Sequence, residues 1–296
     1  MSDLRSPESN LARHASAEVP SRRHPFAVSE AKGIALALGG GFSRGIAHLG
    51  VLEVLEEEHI PISAIVGTSI GGLLGAAYAD GISVRELCEL GRQVRLRDFL
   101  RYQSQAQSQA DDAPKHNRIS RFVHDYFQAR TVEELTIPTA IVTTDLDTGA
   151  AHVFTRGPLD LAIRASCAFP GLFKPVEYEG RRLADGCIVS PVPTAVAARM
   201  NAACVVGVAV GSHDKTAPTE RRRLLQPSWA READVLLEPK VHHIDWNDFS
   251  RVDEVREAGA EAMRCALPYL RSLLDRHSEL RRASRAAAGM ESGLAS

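Results

Sequence analysis

The sequence is poor in aromatic residues, which make up 5% of its 296 positions, and it has no long apolar run. No stretch reaches the roughly 18 consecutive apolar residues that a bilayer-spanning helix needs. Cysteine is scarce: Cys88, Cys167, Cys187, Cys204 and Cys265 are odd in number and contain no Cys-x-x-Cys pair. Neither a disulfide framework nor a zinc site is expected, and a reducing, cytoplasmic setting is the natural one. A large excess of either charge is also missing. The formal net charge is −2, and Lys and Arg are dispersed apart from short clusters such as Arg221-Arg222-Arg223. That argues against a global basic field for nucleic acid. The N-terminus is polar and lacks the apolar core of a secretory signal. What is plentiful is apolar content, at 44%, enough over this length for a substantial core.

Residues 1–30 mix Ser, Arg, His, Glu and Pro without periodicity and read as a mobile tail. Gly33 to Leu38 is a short apolar run ending in glycines, which fits a buried first strand. A helical pattern follows, with Ile46, Leu49, Leu52 and Leu55 on one face. Ile62 to Val66 reads as a second strand, and the small residues to about Ala79 as a helix pressed on the sheet. Ser83-Val84-Arg85-Glu86 is a capping-box signature. The polar, low-complexity stretch 103–116 reads as an insertion loop. Ile119, Phe122, Val123, Tyr126 and Phe127 form a helical stripe, either core packing or a flap over an apolar substrate.

Further on, Thr139–Thr144 and Ala151–Phe154 form a hairpin through Asp147-Thr148-Gly149. A helix covers Leu159–Ser166, and a strand pair turns at Glu179-Gly180. From Val252 the pattern is helical, with Pro268 expected to break it. Strands alternating with helices predict a single α/β domain with a central, largely parallel sheet sandwiched between helices in three layers. The predicted boundaries are 31–270 for the domain and 271–296 for a C-terminal helical tail.

Two glycine-rich turns sit at strand ends, where ligands of such sheets bind. The first is Gly39-Gly40-Gly41-Phe42-Ser43-Arg44-Gly45. It can supply converging backbone N–H groups to an oxyanion. The competing phosphate-loop reading lacks Gly-x-Gly-x-x-Gly in every register and has no Gly-Lys-Ser/Thr ending. The second turn, Gly67-Thr68-Ser69-Ile70-Gly71, fits Gly-x-Ser-x-Gly. It places the Ser69 hydroxyl on a strand-to-helix turn beside the positive end of a helix. An ordinary turn with Ser69 as N-cap remains the alternative. Asp185, in Leu183-Ala184-Asp185-Gly186, can act as base if burial raises its pKa, or can be a common Asp-Gly turn.

Taken in order, Leu38-Gly39-Gly40-Gly41 with Arg44-Gly45, then Gly67-Thr68-Ser69-Ile70-Gly71, Arg164 to Pro170, and Asp185-Gly186 followed by Pro193 resemble the patatin-like phospholipase family. The similarity is to its bacterial, neuropathy-target-esterase-like branch and covers about residues 32–265. The resemblance implies a Ser–Asp dyad without a catalytic histidine. Ser69 is then the nucleophile, Asp185 the base, and the N–H groups of Gly40, Gly41 and Phe42 the oxyanion hole. Arg44 would stabilise the loop or meet a phosphate headgroup. The chain departs from the family pattern at Phe42, Cys187 and Ser190.

The expected activity is hydrolysis of lipid carboxylic esters through an acyl-enzyme, with no metal or organic cofactor. A lipid ester is the expected partner, with transient peripheral membrane contact through 103–116 or the Phe122–Phe127 helix. Two rivals stand beside it. One is an α/β-hydrolase triad using Ser69, Asp185 and His242 or His243. The other is an acyl-binding protein without turnover. Nothing in the sequence selects a headgroup, an acyl length or an oligomeric state.

Overall fold

The computed structural model describes residues 33–93, 118–211 and 228–293. The expectations for residues 1–30 and 103–116 lie outside them. In chain order the strands are β1 (Ile34–Leu38), β2 (Ile62–Thr68), β3 (Thr139–Asp145), β4 (Ala151–Phe154), β5 (Val176–Tyr178), β6 (Arg181–Asp185), β7 (Cys204–Val208) and β8 (Val235–Leu237). The helices are α1 (Ala47–Glu57), α2 (Ile70–Ala79), α3 (Val84–Gln93), α4 (Arg118–Tyr126), α5 (Leu159–Ser166), α6 (Thr194–Ala197) and α7 (Val252–Gly293).

The strands form one mixed sheet in the order β5-β6-β3-β2-β1-β7-β8, with β4 paired to β3. The run β3-β2-β1-β7-β8 is parallel, as expected. The pairs β3–β4, β3–β6 and β5–β6 are antiparallel. The β5–β6 hairpin turns on Glu179 at φ 48 and Gly180 at φ 74, a left-handed pair that matches the twist of adjacent strands.

Alternation along β1 divides the two faces. Ile34, Leu36 and Leu38 point into a large cluster with Leu49, Leu52 and Leu55 of α1, Tyr78 of α2 and Met263 of α7. Ala35 and Ala37 point the other way, into a thin cluster with Ala64, Ala140 and Ala197. The three layers are therefore unequal. Small side chains bury less apolar area, so most of the burial energy comes from the α1–α2–α7 side. In α4, Val123 and Phe127 are buried and Phe122 and Tyr126 pack on the core. The stripe packs on the core.

Pro268 does not break the last helix, contrary to expectation. A proline removes one intrahelical hydrogen bond and crowds the carbonyl four residues earlier. Here both Pro268 and Arg264 lie on the exposed side, where water can take up the freed carbonyl, while Leu267 and Leu270 are buried on the other side. Packing on both sides of the proline holds the helix together. Beneath it, α1 and α7 cross very closely. A Cβ at Gly50 would lie 1.8 Å from the Arg256 carbonyl oxygen, and one at Gly259 would lie 1.9 Å from that of Ala47. Glu53–Arg256 and Glu58–Arg271 ion pairs flank the crossing. Among the described residues no helix is long and apolar enough to cross a membrane.

Candidate active site

Strand β2 ends at Thr68 and α2 begins at Ile70, leaving one residue to turn the chain. That residue, Ser69, has φ 54 and ψ −124. A non-glycine residue held at positive φ is strained, and such strain collects at functional turns. The neighbouring glycines are required by close approach. A Cβ at Gly67 would come within 2.4 Å of Gly72 Cα, and one at Gly71 within 2.2 Å of the Leu38 carbonyl oxygen. The Ser69 hydroxyl does not cap the helix. It donates to Asp185 Oδ2 at 2.7 Å, across 116 positions of sequence.

Strand β3 brings these two residues together. Its residues 139–142 pair with β2 and its residues 143–145 with β6. Strand β4 pairs with residues 141–144 and so occupies the opposite edge. Strands β2 and β6 therefore share one edge of β3 end to end. Thr68, opposite Val142, and Asp185, opposite Thr143, meet at the junction.

Asp185 is 1% exposed and Ser69 6%. Burial raises the Asp185 pKa above the ordinary carboxylate range, opposed by the N–H of Cys187 and the Ser69 hydroxyl. Cys187 N donates to Oδ1 at 2.8 Å, which leaves Oδ2 facing the serine. A carboxylate that is costly to keep ionised is a better proton acceptor. Burial and the nearby carboxylate push the Cys167 and Cys187 thiols up. They stay protonated and do not compete as nucleophiles.

Ser166 was not picked out from the sequence. Its hydroxyl accepts the Ser69 N–H at 2.8 Å and donates to the Val142 carbonyl at 2.6 Å, tying the turn to β3. Its sequence signal is its place in the Arg164 to Pro170 block that carries the family resemblance.

The glycine turn lies alongside, and one expected role changes. Gly40 N donates to the Pro191 carbonyl at 3.0 Å, so it offers no free donor. A Cβ on Gly40 would lie 2.1 Å from Cys187 Sγ and 3.2 Å from Ser69 Cβ, so the residue is a close wall of the site instead. Gly39 N is likewise taken, by the Val208 carbonyl. Gly41 and Phe42 precede the first bond of the 3-10 turn Phe42–Ile46, from Arg44 N to the Gly41 carbonyl.

Three contacts fix this loop. Arg44 Nε donates to the Ile244 carbonyl at 2.7 Å, so the arginine holds the loop, as expected. Ser43 bonds the carbonyls of Asp245 and Trp246. The fully buried His48 donates from Nε2 to the Gly39 carbonyl at 2.7 Å. Burial lowers its pKa to about 4, so the ring is neutral, and its Nδ1 has no partner among the described residues. Gly45 packs against Ile70 at the start of α2. Gly186 packs against Val142 and Thr68 beneath the dyad.

The triad alternative does not fit. His242 and His243 are exposed, His243 pairs with Glu254 at 2.9 Å, and the serine donates to the aspartate without an imidazole between them. Among the described residues no group of three or more His, Cys, Asp or Glu is arranged to hold a metal ion.

The sequence has relatives among known proteins. An uncharacterized NTE family protein of Mycobacterium tuberculosis is 39% identical over 181 residues, covering 61% of this chain and 50% of that protein. Patatin-like phospholipase domain-containing protein 6 of Homo sapiens is 33% identical over 192 residues, covering 62% and 14%. Lysophospholipase NTE1 of Mycosarcoma maydis is 34% identical over 226 residues, covering 75% and 12%. The chain thus spans half the length of the mycobacterial relative and a smaller share of the other two. The family described as Patatin, patatin-like phospholipase, matches residues 36–198, more than half of the sequence. That span holds the glycine turn, Ser69 and Asp185, and the chain belongs to the patatin-like phospholipase family.

Proposed function

We propose that this chain is a serine lipid acyl hydrolase that works through a Ser69–Asp185 dyad and an acyl-enzyme. The observation that carries the reading is the 2.7 Å bond from the strained Ser69 hydroxyl to a buried carboxylate. Family membership supports the substrate class, and one relative is named a lysophospholipase.

Ser69 Oγ attacks the ester carbonyl carbon while its proton passes to Asp185 Oδ2. The tetrahedral oxyanion is met by the N–H groups of Gly41 and Phe42, each donor worth several kcal/mol when prearranged. The intermediate collapses, the C–O bond breaks, and the departing alcohol or lysolipid takes the proton from Asp185. Water then attacks the acyl group and gives a proton to Asp185. The fatty acid leaves, and that proton returns to Ser69. Ester and water have become acid and alcohol. The reading places the protein in a reducing compartment with transient access to membranes.

The test is a fluorophosphonate probe beside a panel of phospholipids, neutral lipids and short p-nitrophenyl esters. Labelling that is lost in Ser69→Ala, with turnover of at least one ester class, is expected. A folded protein that takes no label from several probes would sink the reading.

A further inference from the structure

Seven large apolar side chains are exposed among the described residues. Four of them belong to segments bonded directly to the site: Phe169 at 40%, Ile188 at 50%, Val189 at 37% and Trp246 at 43%. Phe169 follows Ala168, whose carbonyl accepts the N–H of Asp185. Ile188 and Val189 lie between Cys187, whose N–H holds Asp185, and Ser190, whose carbonyl accepts the Thr68 hydroxyl. Trp246 accepts the N–H of Ser43 through its carbonyl. The half-buried Phe42 joins them, its ring meeting Phe169 edge-on at 5.7 Å and Trp246 at 5.0 Å. Phe42 reaches that position only at φ 50, a strained angle for a bulky side chain. The other exposed apolar residues, Leu146, Tyr269 and Leu280, lie outside these segments.

A large apolar patch at the surface marks an interaction site, and Trp in particular suits the boundary between water and lipid. The charges beside this patch do not favour an anionic surface. Asp245 and Asp248 flank Trp246, and Lys174 lies beyond Phe169. The Arg44 side chain donates to the Ile244 carbonyl. We propose that Phe42, Phe169, Ile188, Val189 and Trp246 form an apolar collar around Ser69 that seats on a zwitterionic lipid surface, so that the ester reaches the dyad without crossing water.

The proposal rests on the hydrolase reading for its purpose, but its test does not depend on turnover. Sedimentation with phosphatidylcholine vesicles reads binding directly. Turnover of the same vesicles and of soluble p-nitrophenyl butyrate reads catalysis. For Phe169→Ser and Ile188→Ser, vesicle binding should fall about tenfold per apolar side chain lost. Vesicle turnover should fall with it, far more than soluble-ester turnover. Ile188→Leu should retain binding, which separates lost apolar contact from a damaged site. Wild-type binding should withstand added salt.

Equal losses on vesicles and on the soluble ester would overturn the collar. So would association that vanishes in salt or requires anionic lipid. Wild-type protein that hydrolyses neither ester, yet binds vesicles through these side chains, would remove the hydrolase reading and leave the collar standing.

Discussion

Two strand-end turns, 39–45 and 67–71, lie against each other, a Cβ on Gly40 falling 3.2 Å from Ser69 Cβ, and each forces one non-glycine residue to positive φ: Phe42 at φ 50 and Ser69 at φ 54. They use the strain differently. The Ser69 turn is held from within the sheet, by Ser166 and β3, and presents a side-chain hydroxyl to a buried acid. The Phe42 turn is held from outside, by residues 244–246 and by His48. It carries an aromatic ring that meets Trp246 edge-on, and the proposed mechanism assigns the oxyanion to its main chain. On the proposed mechanism the first turn works through its side chain, and substitution there should abolish activity. On the same mechanism the second turn works through its backbone, and substitution should do far less.

The sharpest test of this contrast is Ser69→Ala. Probe labelling and ester turnover should disappear, with kcat down by about four orders of magnitude or more. Asp185→Asn comes next, with a loss of about 10² to 10⁴ in kcat because the proton has no acceptor. The wild-type rate should rise with pH through the raised Asp185 pKa, so its acid limb lies above that of an ordinary carboxylate. The stability sign is opposite. A buried acid with a raised pKa favours the fold when protonated, and that contribution is lost as pH rises through the folded value. Asp185→Asn should therefore melt higher than wild type at pH 8.

In the second turn, His48 gives the larger effect, and it is one on stability. Its pKa is near 4 in the fold against 6.5 for the free ring. Stability should be full above pH 6.5, decline as pH falls, and level off below 4, a loss of about 3 kcal/mol. Urea titrations of His48→Gln, which keeps a donor for Gly39, should lack that slope. The smallest effect is expected from Phe42→Gly, which keeps the N–H. On a soluble ester its kcat/KM should stay within about tenfold of wild type. A drop as deep as that of Asp185→Asn would erase the distinction between the turns.

The first turn was legible because its rules are local. Gly-x-Ser-x-Gly between an apolar strand and a small-residue helix placed Ser69 on the strand-to-helix turn, and the helix does run from Ile70 to Ala79. Local sequence left Asp185 open between a base and a common Asp-Gly turn, and only the family setting paired it with Ser69, since its partner is set by how β2 and β6 divide one edge of β3. The second turn was only half legible. Glycines announced a donor loop, but the Pro191 carbonyl that occupies Gly40 comes from 151 residues away, and no local pattern encodes it. The collar was invisible for the same reason, since its members are scattered from 42 to 246. Pro268 misled because the rule for isolated helices ignores packing on both sides of the residue.

The close crossing of α1 and α7 has a consequence for where the donors sit. Where Gly50 and Gly259 each meet the opposite backbone the helices cannot slide without collision, so α1 is fixed in register, and the 3-10 turn that carries Phe42 leads straight into it. The stretch that bonds Ser43 and Arg44 enters that same α7. A change that loosens residues 244–246 alone would leave the Ser69–Asp185 bond in place yet unclasp the loop to which the proposed mechanism assigns the oxyanion.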